Sequence, residues 1–301
     1  MVQPSLALPR LLRRPRVLIV GCGDVGLRVV RLLVPRWKVW ALTSQPSRVA
    51  ALRAAGAVPL VGNLDEPASL SRLAGLADVV LHLAPPPGRG CTDPRTGALL
   101  HALARRSAPR CLVYASTTGV YGDAQGLRFD ETRPVAPCSD RARRRVDAEA
   151  RVRGFGRAFG VRVTVLRIPG IYAGDRPGGH PRDRLLRGTP VLRPEDDVYT
   201  NHIHADDLAR ACVAAIARGK PQRVVHVCDH TELKMGDYFD LAADLCGLPR
   251  PPRISRTQAC EQLAPTLLSF MSESRRLDNG RLLRELRLRL RYPTVREGLL
   301  A

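Results

Sequence analysis

The stretch Arg16-Val17-Leu18-Ile19-Val20-Gly21-Cys22-Gly23-Asp24-Val25-Gly26 decides how the whole chain is read. A strand-forming run from Arg16 to Val20 passes directly into glycines spaced G-x-G-x-x-G, and a helical run follows from Val25 toward Leu33. The spacing alone is common; between a strand and a helix it describes a dinucleotide-binding turn. Gly21 permits the tight turn, Gly23 lets the backbone approach a pyrophosphate, and Gly26 allows close helix–strand packing. The helix N-terminus would add amide donors and partial positive charge for the phosphates. Gly21, Cys22, Gly23, Asp24, Val25 and Gly26 are therefore candidate cofactor contacts.

Outward from this turn the chain alternates short β-rich and helical runs. Strands are expected at Val39–Leu42, Val58–Val61, Asp78–Leu83, Cys111–Ala115, Val161–Arg167 and Val224–Val227, and helices at Ser47–Ala55, Ala68–Ala74, Thr96–Arg106, Ser139–Phe159 and His204–Ala217. That rhythm predicts an α/β fold with a Rossmann-type, doubly wound parallel sheet. Tyr172–Val198 is rich in Gly, Pro and balanced charge and reads as a loop-rich insertion, and beyond Asp229 two helical stretches are expected. The economical division is a basic, disordered tail over 1–15, a dinucleotide-binding domain over 16–170 completed by 201–229, and a small C-terminal substrate lobe made of 171–200 and 230–301.

The end of the second strand bears on which dinucleotide binds. An acid there would grip the ribose 2′-hydroxyl of NAD. The chain instead reads Trp40-Ala41-Leu42-Thr43-Ser44-Gln45-Pro46-Ser47-Arg48. Hydroxyls and a guanidinium suit the 2′-phosphate of NADP, so Thr43, Ser44 and Arg48 favour NADP(H) over NAD(H). The bland alternative makes Arg48 the start of a solvated helix. Asn63 and Leu64, after the third strand, are further candidate cofactor contacts.

Composition sets the outer limits. The 301 residues are 45% hydrophobic and 25% charged, which excludes a disordered or collagen-like chain. No run reaches the length of a membrane span, and the Pro- and Arg-interrupted start does not match a secretory signal; the reading is a cytoplasmic protein. A net charge of +20 comes almost wholly from arginine spread along the chain, with 4% aromatics. Nucleic-acid binders concentrate charge and add stacking rings, so no specific nucleic-acid partner is expected. Eight cysteines without a C-x-x-C pair argue against a zinc site or a disulfide framework. His202 and His204 would need a third ligand from elsewhere, and no metal is expected.

From the fourth strand onward the residues resemble a known family. His82-Leu83-Ala84-Pro85, Tyr114-Ala115-Ser116-Thr117-Thr118-Gly119-Val120-Tyr121-Gly122, Glu131-Thr132-Arg133-Pro134, Arg167-Ile168-Pro169-Gly170-Ile171-Tyr172 and Asn201-His202-Ile203-His204-Ala205-Asp206-Asp207-Leu208 look like extended short-chain dehydrogenases/reductases of the NAD-dependent epimerase/dehydratase group. The Gly-Cys-Gly turn is similar to that of an atypical branch. The resemblance spans about Arg16 to Leu300 and implies a small-molecule substrate, often a sugar nucleotide. It adds Leu83, Ala84, Pro85, Ser116, Pro169, Gly170 and Ile171 to the candidate cofactor contacts.

Enzymes of this group use a Ser/Thr with a Tyr-x-x-x-Lys pair, the phenol moving the proton and the lysine lowering its pKa and holding the ribose. Thr117 matches the Ser/Thr position. The Tyr and Lys positions, counted back from Glu149, fall on Arg141 and Arg145. None of the six tyrosines has a lysine four residues on, and guanidinium does not shuttle protons near neutrality. Arg145 can hold a ribose or a phosphate, and Arg141 an anion. Tyr121, close behind Thr117, is the best-placed substitute phenol, its other reading being a packing aromatic. An oxidoreductase or epimerase with altered acid/base chemistry and a non-catalytic dinucleotide-binding sensor both remain open. So do monomer and homodimer: the helices that pair in such families are Thr96–Arg106 and Ser139–Phe159, and the second carries seven arginines that would repel across a symmetric interface.

Overall fold

Residues 14–301 are described by a computed structural model, so nearly all of the expected basic tail lies outside the described residues. Seven parallel strands form the central sheet: β1 (Arg16–Val20), β2 (Lys38–Thr43), β3 (Val58–Val61), β4 (Val79–His82), β5 (Cys111–Thr117), β6 (Arg162–Ile168) and β7 (Arg223–His226). Their spatial order is 3-2-1-4-5-6-7, with Val17 opposite both Val39 and Val79. Order reverses between β1 and β4, and open sheets of this kind receive ligands beyond the strand carboxyl ends at that switch.

Both faces of the sheet are covered, which explains why the strands read as unbroken apolar runs. Val17 and Ile19 pack on one side with α1 (Asp24–Leu33) and α5 (Ala205–Arg218). Leu18 and Val20 pack on the other with α3 (Pro94–Ala104) and α4 (Asp140–Phe159). The long polar helix α4 begins where Ser139 accepts a bond from the Ala142 amide and ends at Gly160, whose φ of 65° is left-handed.

Three expectations are corrected. Ala68–Ala74 is not an α-helix: Pro67–Leu73 is 3₁₀, burying Leu70 and Leu73 at a spacing that suits three residues per turn. The Ser47–Ala55 run splits into a 3₁₀ turn at Pro46–Arg48 and α2 (Val49–Ala54). Beyond Asp229 there are five helical segments rather than two: α6 (Met235–Cys246) and short pieces at Arg256–Gln262, Pro265–Met271, Gly280–Arg284 and Val295–Leu299.

A second core gathers Tyr172, Val191, Leu192 and Val198 with Met235, Phe239 and Ala242 of α6. Short strand pairs stitch it to the sheet, among them His202–His204 parallel to Gly170–Tyr172. Leu282, Leu286, Leu288 and Leu290 leave this lobe and pack into the β1-side core. Among the described residues no helix is long and apolar enough to cross a membrane.

Candidate functional site

A chain of three cavities follows the carboxyl ends of the strands. The first, about 390 Å³, is lined by Gly21, Cys22 and Gly23, by Thr43, Ser44 and Arg48, and by Asn63, Leu64, Leu83, Ala84 and Pro85. The second, about 220 Å³, shares Leu83 with the first and adds Val25, Ser116, Thr117, Arg145, Pro169 and Ile171. The third, about 630 Å³, shares Thr117, Arg145, Pro169 and Ile171 with the second and lies between the sheet and the small lobe.

The glycine turn is built from backbone. Gly21 has φ +83°, and a Cβ there would stand 2.4 Å from the Ala84 amide nitrogen, so β1 and β4 close over the turn only with glycine. Gly23 is different: a Cβ would meet nothing within 4 Å. Gly23 is also the N-cap of α1 and offers no side-chain cap to the first-turn amides. Open space in front of uncapped amide donors fits a pyrophosphate. At Gly26 a Cβ would approach the Cys22 Sγ at 3.1 Å, so this glycine lets the helix sit close on the turn. Cys22 is buried, and burial pushes its thiol up to about 11, leaving it unreactive wall.

Asp24 does not line the first cavity. It pairs with Arg28 at 3.3 Å and Arg176 at 3.4 Å. Arg28, 8% exposed, also holds Asp206 at 2.5 Å and Asp175. At the strand-two end, the Thr43 hydroxyl accepts the Gln45 amide at 3.1 Å, Ser44 is exposed, and the Arg48 guanidinium has no carboxylate partner among the described residues.

Ser116 and Thr117 end β5 at the middle cavity. The Ser116 hydroxyl donates to Glu149 at 2.6 Å, and Arg167 grips the same buried carboxylate through two bonds of 3.1 and 2.7 Å. Thr117 caps the next turn by accepting the Gly119 amide at 3.3 Å, and it lines both the middle and the third cavity. Arg145 donates one nitrogen to the Ala115 carbonyl at 2.7 Å and the Tyr114 hydroxyl at 3.1 Å. Burial pushes the Tyr114 phenol up to about 12, against the pull of Arg145.

Tyr121 is not brought to the cleft. It is 0% exposed, its hydroxyl lies 2.6 Å from His226 Nε2, and the Arg167 guanidinium sits 4.6 Å over its ring. Burial pushes its phenol up to about 12. The reading of Tyr121 as a substitute proton donor is therefore corrected: the turn after Thr117 rotates the ring into a small core with Val120, Cys228 and Leu277. Arg141 does reach the third cavity, its guanidinium 4.7 Å over the Phe270 ring, and burial lowers its pKa.

The third cavity also contains residues the sequence reading did not single out for it: Arg144, Arg184, Tyr199, Glu273 and Arg275, together with His202. They come from α4, the 171–200 insertion and the C-terminal segment, and no local spacing links them. His202 and His204 take separate places. His202 stacks on Tyr238 at 4.2 Å, with burial pushing its pKa down to about 4. His204 caps α5 by accepting the Asp206 amide at 3.2 Å. Among the described residues no three His, Cys, Asp or Glu side chains gather as metal ligands.

A family model described as the NAD dependent epimerase/dehydratase family matches residues 17–228, and the chain belongs to that family. Protein YeeZ of Escherichia coli strain K12 is 25% identical over 245 residues, 78% of this chain and 85% of that one. A solved structure of a functionally unknown conserved protein from Silicibacter pomeroyi is 33% identical, covers 95% of this chain and 97% of its own, and superposes with a TM-score of 0.81. UDP-glucose 4-epimerase of Thermotoga maritima, solved with UDP-glucose, is 20% identical over 94% of this chain and 96% of its own, with a TM-score of 0.78, a likeness of fold.

Proposed function

We propose that the chain binds NADP(H) across the first two cavities and acts as an oxidoreductase or epimerase on a sugar nucleotide, or a similar small carbonyl or alcohol, seated in the third. The continuity of the cavities carries this reading: Thr117 and Arg145 line both the middle and the large one, so a dinucleotide running from Gly23 would end beside whatever the large cavity holds. The bound dinucleotide would supply the hydride acceptor or donor. Gly21, Gly23 and the α1 amides would hold its pyrophosphate, Thr43, Ser44 and Arg48 its 2′-phosphate, and Arg145 its ribose. Thr117 would hydrogen-bond the reacting oxygen. The family description names NAD; the free guanidinium of Arg48 and the missing acid at the end of β2 support NADP for this chain.

One observation favours a second reading, a dinucleotide-binding sensor without catalysis. No tyrosine–lysine pair is present and Tyr121 is sealed from the cleft. Two measurements test these readings, the first the cofactor and the second catalysis. NADPH is expected to bind about tenfold more tightly than NADH, raising stability by about 1.4 kcal/mol more at saturation, and Arg48→Ala should erase most of that difference. Equal affinity for the two would overturn the NADP assignment. Absorbance change at the nicotinamide with UDP-glucose and related sugar nucleotides would establish turnover; tight NADPH binding with no turnover across such a set would favour the sensor.

A further inference from the structure

Arg141, Arg144 and Arg145 stand at positions i, i+3 and i+4 of α4 and so share one face. That face turns inward, because all three line the large cavity, whereas Arg143 points away and pairs with Asp140 at 2.8 Å. Three like charges on one helical face repel each other. The rest of the cavity does little to relieve them, Glu273 alone acting on Arg141. It is lined by six arginines and a single carboxylate, Glu273, which Arg275 already holds at 2.5 Å. Arg176 has Asp24 at 3.4 Å, while Arg141, Arg144, Arg145 and Arg184 have no carboxylate within ion-pair distance among the described residues.

Arg144 makes the case sharpest. Three arginines in the described chain are buried: Arg28 at 8% exposure, Arg144 at 7% and Arg167 at 4%. Arg28 is surrounded by Asp24, Asp175 and Asp206, and Arg167 is clasped by Glu149. Arg144 has one carbonyl, that of Gly90 at 2.5 Å, and its Nε is buried with no partner. A buried guanidinium without an anion is costly, and elsewhere this fold supplies the anion from its own carboxylates. Arg145 likewise spends one nitrogen on Tyr114 and Ala115, and the residue lines both the middle and the large cavity.

We propose that the face made by Arg141, Arg144 and Arg145 is a binding site for an oxyanion, a carboxylate or phosphoryl group, carried on the part of the substrate that reaches α4. The site stands on the arginine geometry alone; assigning the oxyanion to a substrate rests on the cleft reading given above. It also gives the two arginines at the expected Tyr and Lys positions a role that is not proton transfer. A fork of guanidinium donors meets two oxygens at once, which fixes the orientation of an acidic substrate against the middle cavity.

Calorimetric titration of inorganic phosphate and of malonate, at about 150 mM chloride to screen diffuse surface charge, tests this with and without NADPH. With NADPH filling its own phosphate positions, saturable binding of at least one probe at one site per chain is expected. Affinity should fall about tenfold or more in Arg144→Gln and in Arg141→Gln, and stay unchanged in Arg157→Gln in the last turn of the same helix. Arg141 is more exposed than Arg144, so its variant keeps the test valid if Arg144→Gln unfolds. Preference for phosphate would identify a phosphoryl group and preference for malonate a carboxylate. Failure of both probes to saturate, or binding that survives both substitutions, would overturn the proposal. Anion binding in a protein that ignores NADPH would leave this site standing and remove the cofactor reading; NADPH binding without anion binding would do the reverse.

Discussion

The two ends of the cleft are made of different material. At the glycine end the shape comes from backbone: Gly21 closes against Ala84, Gly23 leaves space, and the helix amides face it. At the large-cavity end the shape comes from long charged side chains contributed by α4, the insertion and the C-terminal segment. A backbone site is written within about ten neighbouring residues and tolerates almost no substitution. A side-chain site is assembled from distant segments and can be rewritten one residue at a time, as Arg141 and Arg145 at the expected Tyr and Lys positions illustrate.

The largest effect expected from this contrast is on stability. Glu149→Ala would leave Arg167 buried without its carboxylate and strip the Ser116 hydroxyl of its acceptor, lowering unfolding free energy by about 3–5 kcal/mol in denaturant titrations. A loss below 1 kcal/mol would mean that buried arginines in this fold do not need anions. Next comes Gly23→Val. Because a Cβ there meets nothing, the variant should melt close to the parent yet lose NADPH affinity by about a hundredfold, near 2.7 kcal/mol. Undiminished binding to the folded variant would place the pyrophosphate elsewhere. The smallest effect is the mirror of the first. Arg144→Met removes a buried cation that has no carboxylate, so stability should hold or rise by up to about 1 kcal/mol while oxyanion affinity falls. A marked loss of stability would show that the Gly90 carbonyl alone satisfies Arg144.

The same contrast explains what could be read from the sequence. The β1 turn was legible because each step of it is local: four fully buried apolar residues, two glycines with distinct duties, then a helix. The Ser139 start of α4 was legible for the same reason. The β/α rhythm carried the parallel sheet, and the motifs from His82 onward carried the family. What escaped depends on direction or distance. Tyr121 follows Thr117 by four residues, but the 3₁₀ turn over Thr118–Tyr121 swings its ring under Arg167 and onto His226. Leu70 and Leu73 fit an α-helix as well as a 3₁₀ turn, and the apolar spacing does not separate the two. The run of arginines in α4 looked like repulsive surface. Only the helix rotation shows that Arg143 faces solvent while Arg144 and Arg145 face the cavity.

The knot around Arg28 carries a mechanical consequence. Its guanidinium fastens the first turn of α1, through Asp24, to Asp175 in the insertion and to Asp206 at the start of α5. The neighbouring Arg176 both lines the large cavity and returns to Asp24. Two-lobed enzymes commonly hinge at such seams. Here two pairs cross the seam, Asp175 on Arg28 and Arg176 on Asp24, and Arg28 is itself held in place by Asp24 and Asp206 on the sheet side. Arg176, at the edge of the large cavity, is thus tied to the first turn of α1.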